Sequence, residues 1–311
     1  MEFKHQKKRI LIIGTGDIGK RLINQKLQKK FHSNLKFYSI SRSIFPLNFY
    51  KKINTQNKVN FFHKSLNIDE FGSLNKIIKI ASHVIILTPT KSHNDVNKKE
   101  FDFDPRAKKL STAVKRKAIK PKGVYISTTG VYGNAKGQLI DETFKCRPKN
   151  KRSIRRLKAE IELRKNLNFH ILRVPGIYAH NRLPIDRIKS LRPILNERED
   201  IYTNHIHADD LARISFIALF LGKASRITNV VDESNLKMGE YFKLVAKKFD
   251  LSIPPRVSLS EIKRKVEEKE ITEMMASFFY ESRRIKNSRL KKELKFKFKF
   301  PTVESTLKKI N

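Results

Sequence analysis

Ile12-Ile13-Gly14-Thr15-Gly16-Asp17-Ile18-Gly19 decides the fold, because its three glycines sit between a short apolar run and an amphipathic stretch. Arg9 to Ile13 reads as a buried strand. Asp17 to Lys30 reads as a helix with Ile18, Leu22, Ile23 and Leu27 on one face. Strand, tight turn and helix in this order aim the free N–H groups of a helix N-terminus at the turn. The first glycine permits the turn, the second lets the backbone approach a phosphate, and the third allows close packing of helix on strand. Gly14, Thr15, Gly16, Asp17, Ile18 and Gly19 are therefore the expected cradle for the pyrophosphate of a nicotinamide dinucleotide. A turn with a purely structural role is the alternative.

Further apolar runs follow at Leu35–Ile40, Val59–His63, Val84–Thr88, Val124–Ser127 and Phe169–Val174. Amphipathic stretches lie between them at Glu70–Ile80, Arg106–Lys117 and Ser153–Asn166. Such alternation predicts an α/β fold, a Rossmann-type doubly wound parallel sheet. The rhythm is lost after Pro175. The expected division is a dinucleotide-binding domain over 1–175 and a smaller C-terminal α+β substrate lobe over 176–311, with some segments returning to the sheet. In that lobe the pattern predicts helices over Leu211–Leu221, Met238–Phe249 and from Ser260, where Ser258 and Glu261 form a capping box. Thr228–Val231 reads as a strand, and the alternating Lys295–Phe300 as an edge strand or extended segment.

Composition sets outer bounds. One cysteine, Cys146, excludes an internal disulfide, and the longest apolar stretch, Ile214–Leu221, is too short to span a bilayer. No zinc-ligand spacing occurs. A cytoplasmic protein is expected, without a membrane association. The net charge of +38, from 68 Lys+Arg against 30 Asp+Glu, ordinarily points to a polyanion. Here the basic residues are spread along the whole chain, while Gly stands at 11 of 311 and Trp is absent. Lys, Asn, Ile and Phe are favoured together, which is what a strongly AT-biased genome imposes on any protein. Nucleic acid is therefore not expected as a partner. Oligomeric state is not legible.

At the end of the second strand an Asp or Glu would bind the ribose 2′-hydroxyl of NAD. The chain instead reads Ser39-Ile40-Ser41-Arg42-Ser43. With no carboxylate, and a guanidinium available for a 2′-phosphate, Ser41 and Arg42 favour NADP(H) over NAD(H). A solvated loop arginine is the competing reading.

Together these motifs resemble the extended and atypical short-chain dehydrogenase/reductases, the NAD(P)-dependent epimerase/dehydratase family, and within it the YeeZ-like proteins. The resemblance rests on the glycine turn and on Ile126-Ser127-Thr128-Thr129-Gly130-Val131-Tyr132-Gly133, similar to S-[ST]-x-x-V-Y-G. It extends to Leu172–Tyr178, to His205-Ile206-His207-Ala208-Asp209-Asp210-Leu211-Ala212, similar to I-H-V-D-D-L-A, and to Ser282–Asn287, similar to S-K-R-x-x-N. The resemblance implies that Thr128 is the catalytic hydroxyl that bonds the substrate oxygen where hydride is gained or lost. A role for Thr128 at a strand end, satisfying backbone groups, stays open. It also implies that Thr88, Pro89 and Thr90 pass under the cofactor ribose, and that Ser65, in place of the usual acidic residue, meets adenine through its backbone or hydroxyl.

Departures from the family matter as much. Counting back from Ala159-Glu160, the Tyr-x-x-x-Lys pair falls on Arg152 and Arg156, and no tyrosine lies between Tyr132 and Tyr178. Arginine cannot act as an acid at neutral pH, so the tyrosine-dependent mechanism is not expected; YeeZ-like members also lack the pair. Arg152 and Arg156, one helical turn apart, either hold an anionic substrate or cofactor phosphate or are solvated. Tyr178 is a conceivable acid or a packing group against the cofactor, and Arg182 a phosphate contact. Gly176 and Ala179-His180 replace residues common in nucleotide-sugar enzymes. His207 and Asp210 read as structural, with Asp209 or Asp210 capping the next helix. His205 reads as a surface histidine, or else a proton donor in the cleft. The expected activity is that of an NADP-dependent oxidoreductase or epimerase/dehydratase acting on an unidentified small molecule. The alternative is a catalytically silent dinucleotide-binding sensor or regulator.

Overall fold

The computed structural model describes residues 8–27, 35–43, 61–70, 73–89 and 104–310. Two compact units are interleaved along the chain. The first takes Met1–Ser127, Arg155–Arg173 and Leu211–Thr228, and the second takes Thr128–Ile154, Val174–Asp210 and Asn229–Asn311. The chain thus crosses between the units several times.

The first unit is built on a seven-stranded sheet. Strands β1 (Lys8–Ile13), β2 (Leu35–Ser41), β3 (Phe61–Ser65), β4 (His83–Ile86) and β5 (Lys122–Thr128) are joined by His170–Val174 and Ile227–Asn229. From one edge the order is Ile227–Asn229, His170–Val174, β5, β4, β1, β2, β3. The pairs β1–β2, β1–β4, β2–β3 and β4–β5 are all parallel, with Ile10 opposite both Phe37 and His83. Ile10, Leu11 and Ile12 are wholly buried, as expected of a central strand covered on both faces. The strand order reverses between β1 and β4, and the crevice beyond their carboxyl ends is where such sheets take ligands.

Helices Asp17–Leu27, Ser73–Ile78, Pro105–Lys115 and Lys151–Leu167 fall where the 3.6-residue pattern predicts them, within a few residues. Leu110 and Val114 of one and Leu163 of another join Leu11, Ile13, Val84, Ile86 and Tyr125 in a single apolar cluster. Asp104 starts the Pro105–Lys115 helix by accepting from the backbone N–H of Arg106 and Ala107, with proline in the first turn where no donor is needed.

The second unit packs Ile188, Ile194, Tyr241, Phe242, Val245, Ile262 and Val303 into its own core. Ser258 caps helix Leu259–Glu267 by accepting from Glu261 N, as the sequence predicts. Two local expectations are corrected there. The cap before helix Ala208–Leu221 is His207, whose Nδ1 accepts from Asp209 N at 3.2 Å. Asp210, fully buried, instead accepts from Lys299 N at 3.0 Å and Phe300 N at 2.9 Å. Lys295–Phe300 keeps its alternation, Phe296 in and Lys295 and Lys297 out, without joining a sheet. His205 is buried rather than on the surface, tilted against the Tyr241 ring at 4.4 Å, and burial pushes its pKa down to about 4. Among the described residues no helix is long and apolar enough to cross a membrane.

Candidate functional site

The glycine turn lies at the carboxyl end of β1. Gly14 has φ +97°, a conformation that side chains rarely adopt, and a Cβ there would meet Thr88 N at 3.0 Å. A Cβ on Gly19 would stand 2.7 Å from Gly14 O. These two glycines are demanded by the fold itself. Gly16 differs, since a Cβ would have nothing within 4 Å, so neither strain nor crowding within the protein explains it. Lys20 N donates to Gly16 O at 2.9 Å, which begins the helix. Asp17 bonds Arg21 one turn on, at 2.9 Å, and Ile18 is half-buried. Thr15 is 4% exposed, and among the described residues its Oγ1 has no hydrogen-bond partner. An open Gly16, an orphaned hydroxyl and a helix N-terminus fit the pyrophosphate of a dinucleotide.

Beyond β2, Ser41 Oγ donates to Ser43 O at 2.8 Å and Ser65 Oγ donates to Arg42 O at 2.9 Å. The Ser65 hydroxyl, expected at adenine, is thus committed to the protein. Arg42 itself is exposed.

Beyond β4, Thr88 and Pro89 run beside the glycine turn. Thr90 lies outside the described residues. Arg156 is 7% exposed, so it is not a solvated helix arginine. Its Nη1 donates to Tyr125 Oη at 2.8 Å, Ile126 O at 3.0 Å and Thr88 O at 3.3 Å, and its guanidinium lies over the Tyr125 ring. Three acceptors and a ring hold it against the ends of β4 and β5. Burial raises the Tyr125 pKa, and Arg156 partly offsets this. Arg106 makes a two-point ion pair with Asp69, at 2.8 and 2.6 Å, and donates to Pro89 O at 2.9 Å. A cavity of about 20 Å³ beside these strand ends is lined by Ile13, Thr88, Asp104 and Tyr125 among others, room for about one water. Burial raises the Asp104 carboxyl, with the backbone donors of its cap, Arg156 and Arg106 working against it.

Thr128, Arg152, Tyr178 and Arg182 belong to the second unit. Thr128 ends β5 half-buried and accepts from Gly130 N at 3.1 Å, which opens the short helical turn Thr129–Tyr132. Its oxygen has therefore taken a donor, and its own proton remains to be given. Arg152 is exposed on the first turn of helix Lys151–Leu167. Tyr178 is 1% exposed, with its hydroxyl 3.2 Å from Thr306 Oγ1, and burial drives its pKa far up. That placement suits packing and not proton donation. Arg182 is exposed, with Nε 3.5 Å from Ile177 O.

Sequence reading missed the roles of Tyr125, Asp104 and Arg106, and the partners of Ser127. Ser127 Oγ donates to Glu160 at 2.5 Å, and Arg173 closes on the same carboxylate with a 2.8 Å bond. Only Asp104-Pro105 carried a local signal, a cap residue before a first-turn proline.

No family model matches the chain, and no curated protein matches it in sequence. Solved structures do match in fold. A functionally unknown conserved protein from Silicibacter pomeroyi is 23% identical with a TM-score of 0.75, covering 97% of each chain. The UDP-glucuronic acid 4-epimerase of Bacillus cereus, solved with NAD, is 17% identical with a TM-score of 0.70, covering 96% of each. The dTDP-glucose 4,6-dehydratase of Bacillus anthracis, also solved with NAD, is 17% identical with a TM-score of 0.72, covering 97% of this chain and 96% of that one. The chain has the Rossmann-type α/β fold of these epimerases and dehydratases.

Proposed function

We propose that this chain is an NADP(H)-dependent oxidoreductase or epimerase/dehydratase of the atypical, YeeZ-like kind, acting on a small molecule. The observation that carries the reading is the glycine turn, where, among the described residues, nothing crowds Gly16 and the buried Thr15 hydroxyl has no partner. Gly14 to Gly19 would hold the pyrophosphate, Thr88 and Pro89 would pass the ribose, and Arg42 would meet a 2′-phosphate. The bound nicotinamide would accept or return a hydride. Thr128 is the residue for the substrate oxygen: the Gly130 N–H on its Oγ1 leaves the O–H free to be given, and a hydroxyl follows an alcohol-to-carbonyl change without moving. Arg156 is a positioning residue in this reading, since it braces Thr88 and the end of β5.

The test is the change in nicotinamide absorbance with a panel of carbonyl and sugar substrates. Turnover that falls at least about a hundredfold in Thr128→Val supports the reading. A silent binder is the second reading, favoured by the inward turn of Arg156 and by a helix that presents only an exposed arginine where the family has its tyrosine. It predicts tight cofactor binding with no turnover on any substrate.

A further inference from the structure

Register places four polar side chains on one face of the sheet edge. In the β2–β3 pair, Ser39 lies opposite His63 and Ser41 opposite Ser65, and residues two apart on a strand share a face. The other face carries the stacked rings of Tyr38 and Phe62, 5.4 Å apart. On the polar face the hydrogen bonds run toward the loop after β2. Ser39 Oγ and His63 Nδ1 are 2.8 Å apart, and His63 Nε2 is 3.3 Å from Ser43 O. A carbonyl can only accept, so Nε2 carries the proton, and in the neutral ring Nδ1 accepts from Ser39. Burial lowers the His63 pKa, which favours that neutral form.

The carbonyls of Arg42 and of the residues on either side of it are tied to β3 and to Leu66 just after it. Ser65 Oγ holds Arg42 O at 2.9 Å, His63 holds Ser43 O, and Leu66 N adds a 2.8 Å bond to Ser41 O. The Arg42 side chain is left exposed and takes no protein partner among the described residues. A loop backbone fixed on both sides of an uncommitted guanidinium is arranged for an anion from outside the protein. Preorganising a cation in this way lowers the ordering cost of binding.

We infer that Ser65 and His63, on the third strand, are positioning residues that set cofactor choice by holding Arg42 for a phosphate on the adenosine ribose. The inference rests on the proposed cofactor reading and deepens it. It gives the preference for a 2′-phosphate to two residues that touch the loop and need not touch the cofactor.

The experiment is fluorescence titration of the full-length protein with NADPH and with NADH. Arg42→Ala is expected to lower NADPH affinity by about tenfold or more while leaving NADH within about twofold. Ser65→Ala and His63→Phe are each expected to lower the NADPH-to-NADH affinity ratio by about threefold to tenfold, as the loss of one loop-fixing bond permits. Ser65→Thr, which keeps the hydroxyl, restores the ratio. In an Arg42→Ala background Ser65→Ala changes nothing more, because it acts through the arginine. An unchanged ratio in Ser65→Ala and His63→Phe, beside a lost preference in Arg42→Ala, overturns the inference and leaves the cofactor reading standing. So does a Ser65→Ala effect of equal size with and without Arg42. Failure of the unmodified protein to bind either nucleotide overturns the cofactor reading, and this inference with it.

Discussion

Glu160 in the first unit and Asp232 in the second are 0% and 4% exposed, yet the fold answers their charges in opposite ways. Glu160 receives a bidentate guanidinium from Arg173 and the hydroxyl of Ser127. Among the described residues Asp232 receives one good bond, from Ser234 N at 2.9 Å, and its Oδ2 makes no well-formed hydrogen bond. Burial pushes its pKa up to about 7; the Ser234 donors and the Tyr178 hydroxyl offset part of this, while the Glu304 carboxylate adds to it. A buried ion pair must stay charged to be worth its desolvation, whereas a buried carboxyl without a cation can escape the cost by holding its proton. One unit fixes a charge and the other suppresses one.

Removing the cation is the sharpest way to break this contrast. Arg173→Met leaves Glu160 buried without its cation, and is expected to cost about 3–5 kcal/mol of stability. Urea denaturation followed by circular dichroism measures it. A loss below about 1 kcal/mol would mean that the pair is not what steadies the first unit.

The second unit is expected to respond to pH through Asp232. The folded pKa of Asp232, about 7, lies above its unfolded value of 3.8, so the folded protein keeps a proton that the unfolded chain releases. The stability it allows is fully present below the unfolded value and is lost as pH rises through about 7. Asp232→Asn should therefore gain on the unmodified protein by about 1.4 kcal/mol per pH unit between those limits, and no further above them. His205, lowered from 6.5 to about 4, has the opposite slope, because the unfolded chain holds its proton in that window. The two slopes oppose each other from about pH 4 to 6.5, so Asp232→Asn uncovers a stability that rises with pH. Parallel stability profiles for variant and unmodified protein would sink the assignment.

The smallest effect concerns another orphaned oxygen, Thr15 Oγ1 in the first unit. Thr15→Val replaces a buried, unbonded hydroxyl by a methyl of similar shape, so stability without cofactor should move by less than about 0.5 kcal/mol. NADPH affinity should fall by about threefold to tenfold. Thermal melting and fluorescence titration on one preparation separate the two. A loss of stability without a loss of affinity would assign the hydroxyl to the fold.

The difference between the units also explains what was legible in the sequence. The glycine turn, the buried run Ile10–Ile13 and the cap at Ser258 are local: the residues that make each feature are near neighbours in the chain. The role of Arg156 was not local, since its acceptors Thr88 and Tyr125 are 68 and 31 residues away. Asp210 was misread as a cap for the same reason. A carboxylate at a helix start normally bonds the donors beside it, and here the donors of Lys299 and Phe300, brought in by the tertiary fold, take its place. Arg42 was readable as an available cation. The serines and histidine that hold its loop become visible only when β2 and β3 are set in register.

The tie from Asp210 to Lys299 and Phe300 also orders events in time. Every described segment of the first unit has been synthesised once the ribosome has passed Thr228, whereas the donors for Asp210 are translated 89 and 90 residues after it. At about 5–20 residues per second that is a wait of several seconds before these two donors exist. The first unit can close on the nascent chain. The second lacks these two bonds until Lys299 and Phe300 have been made.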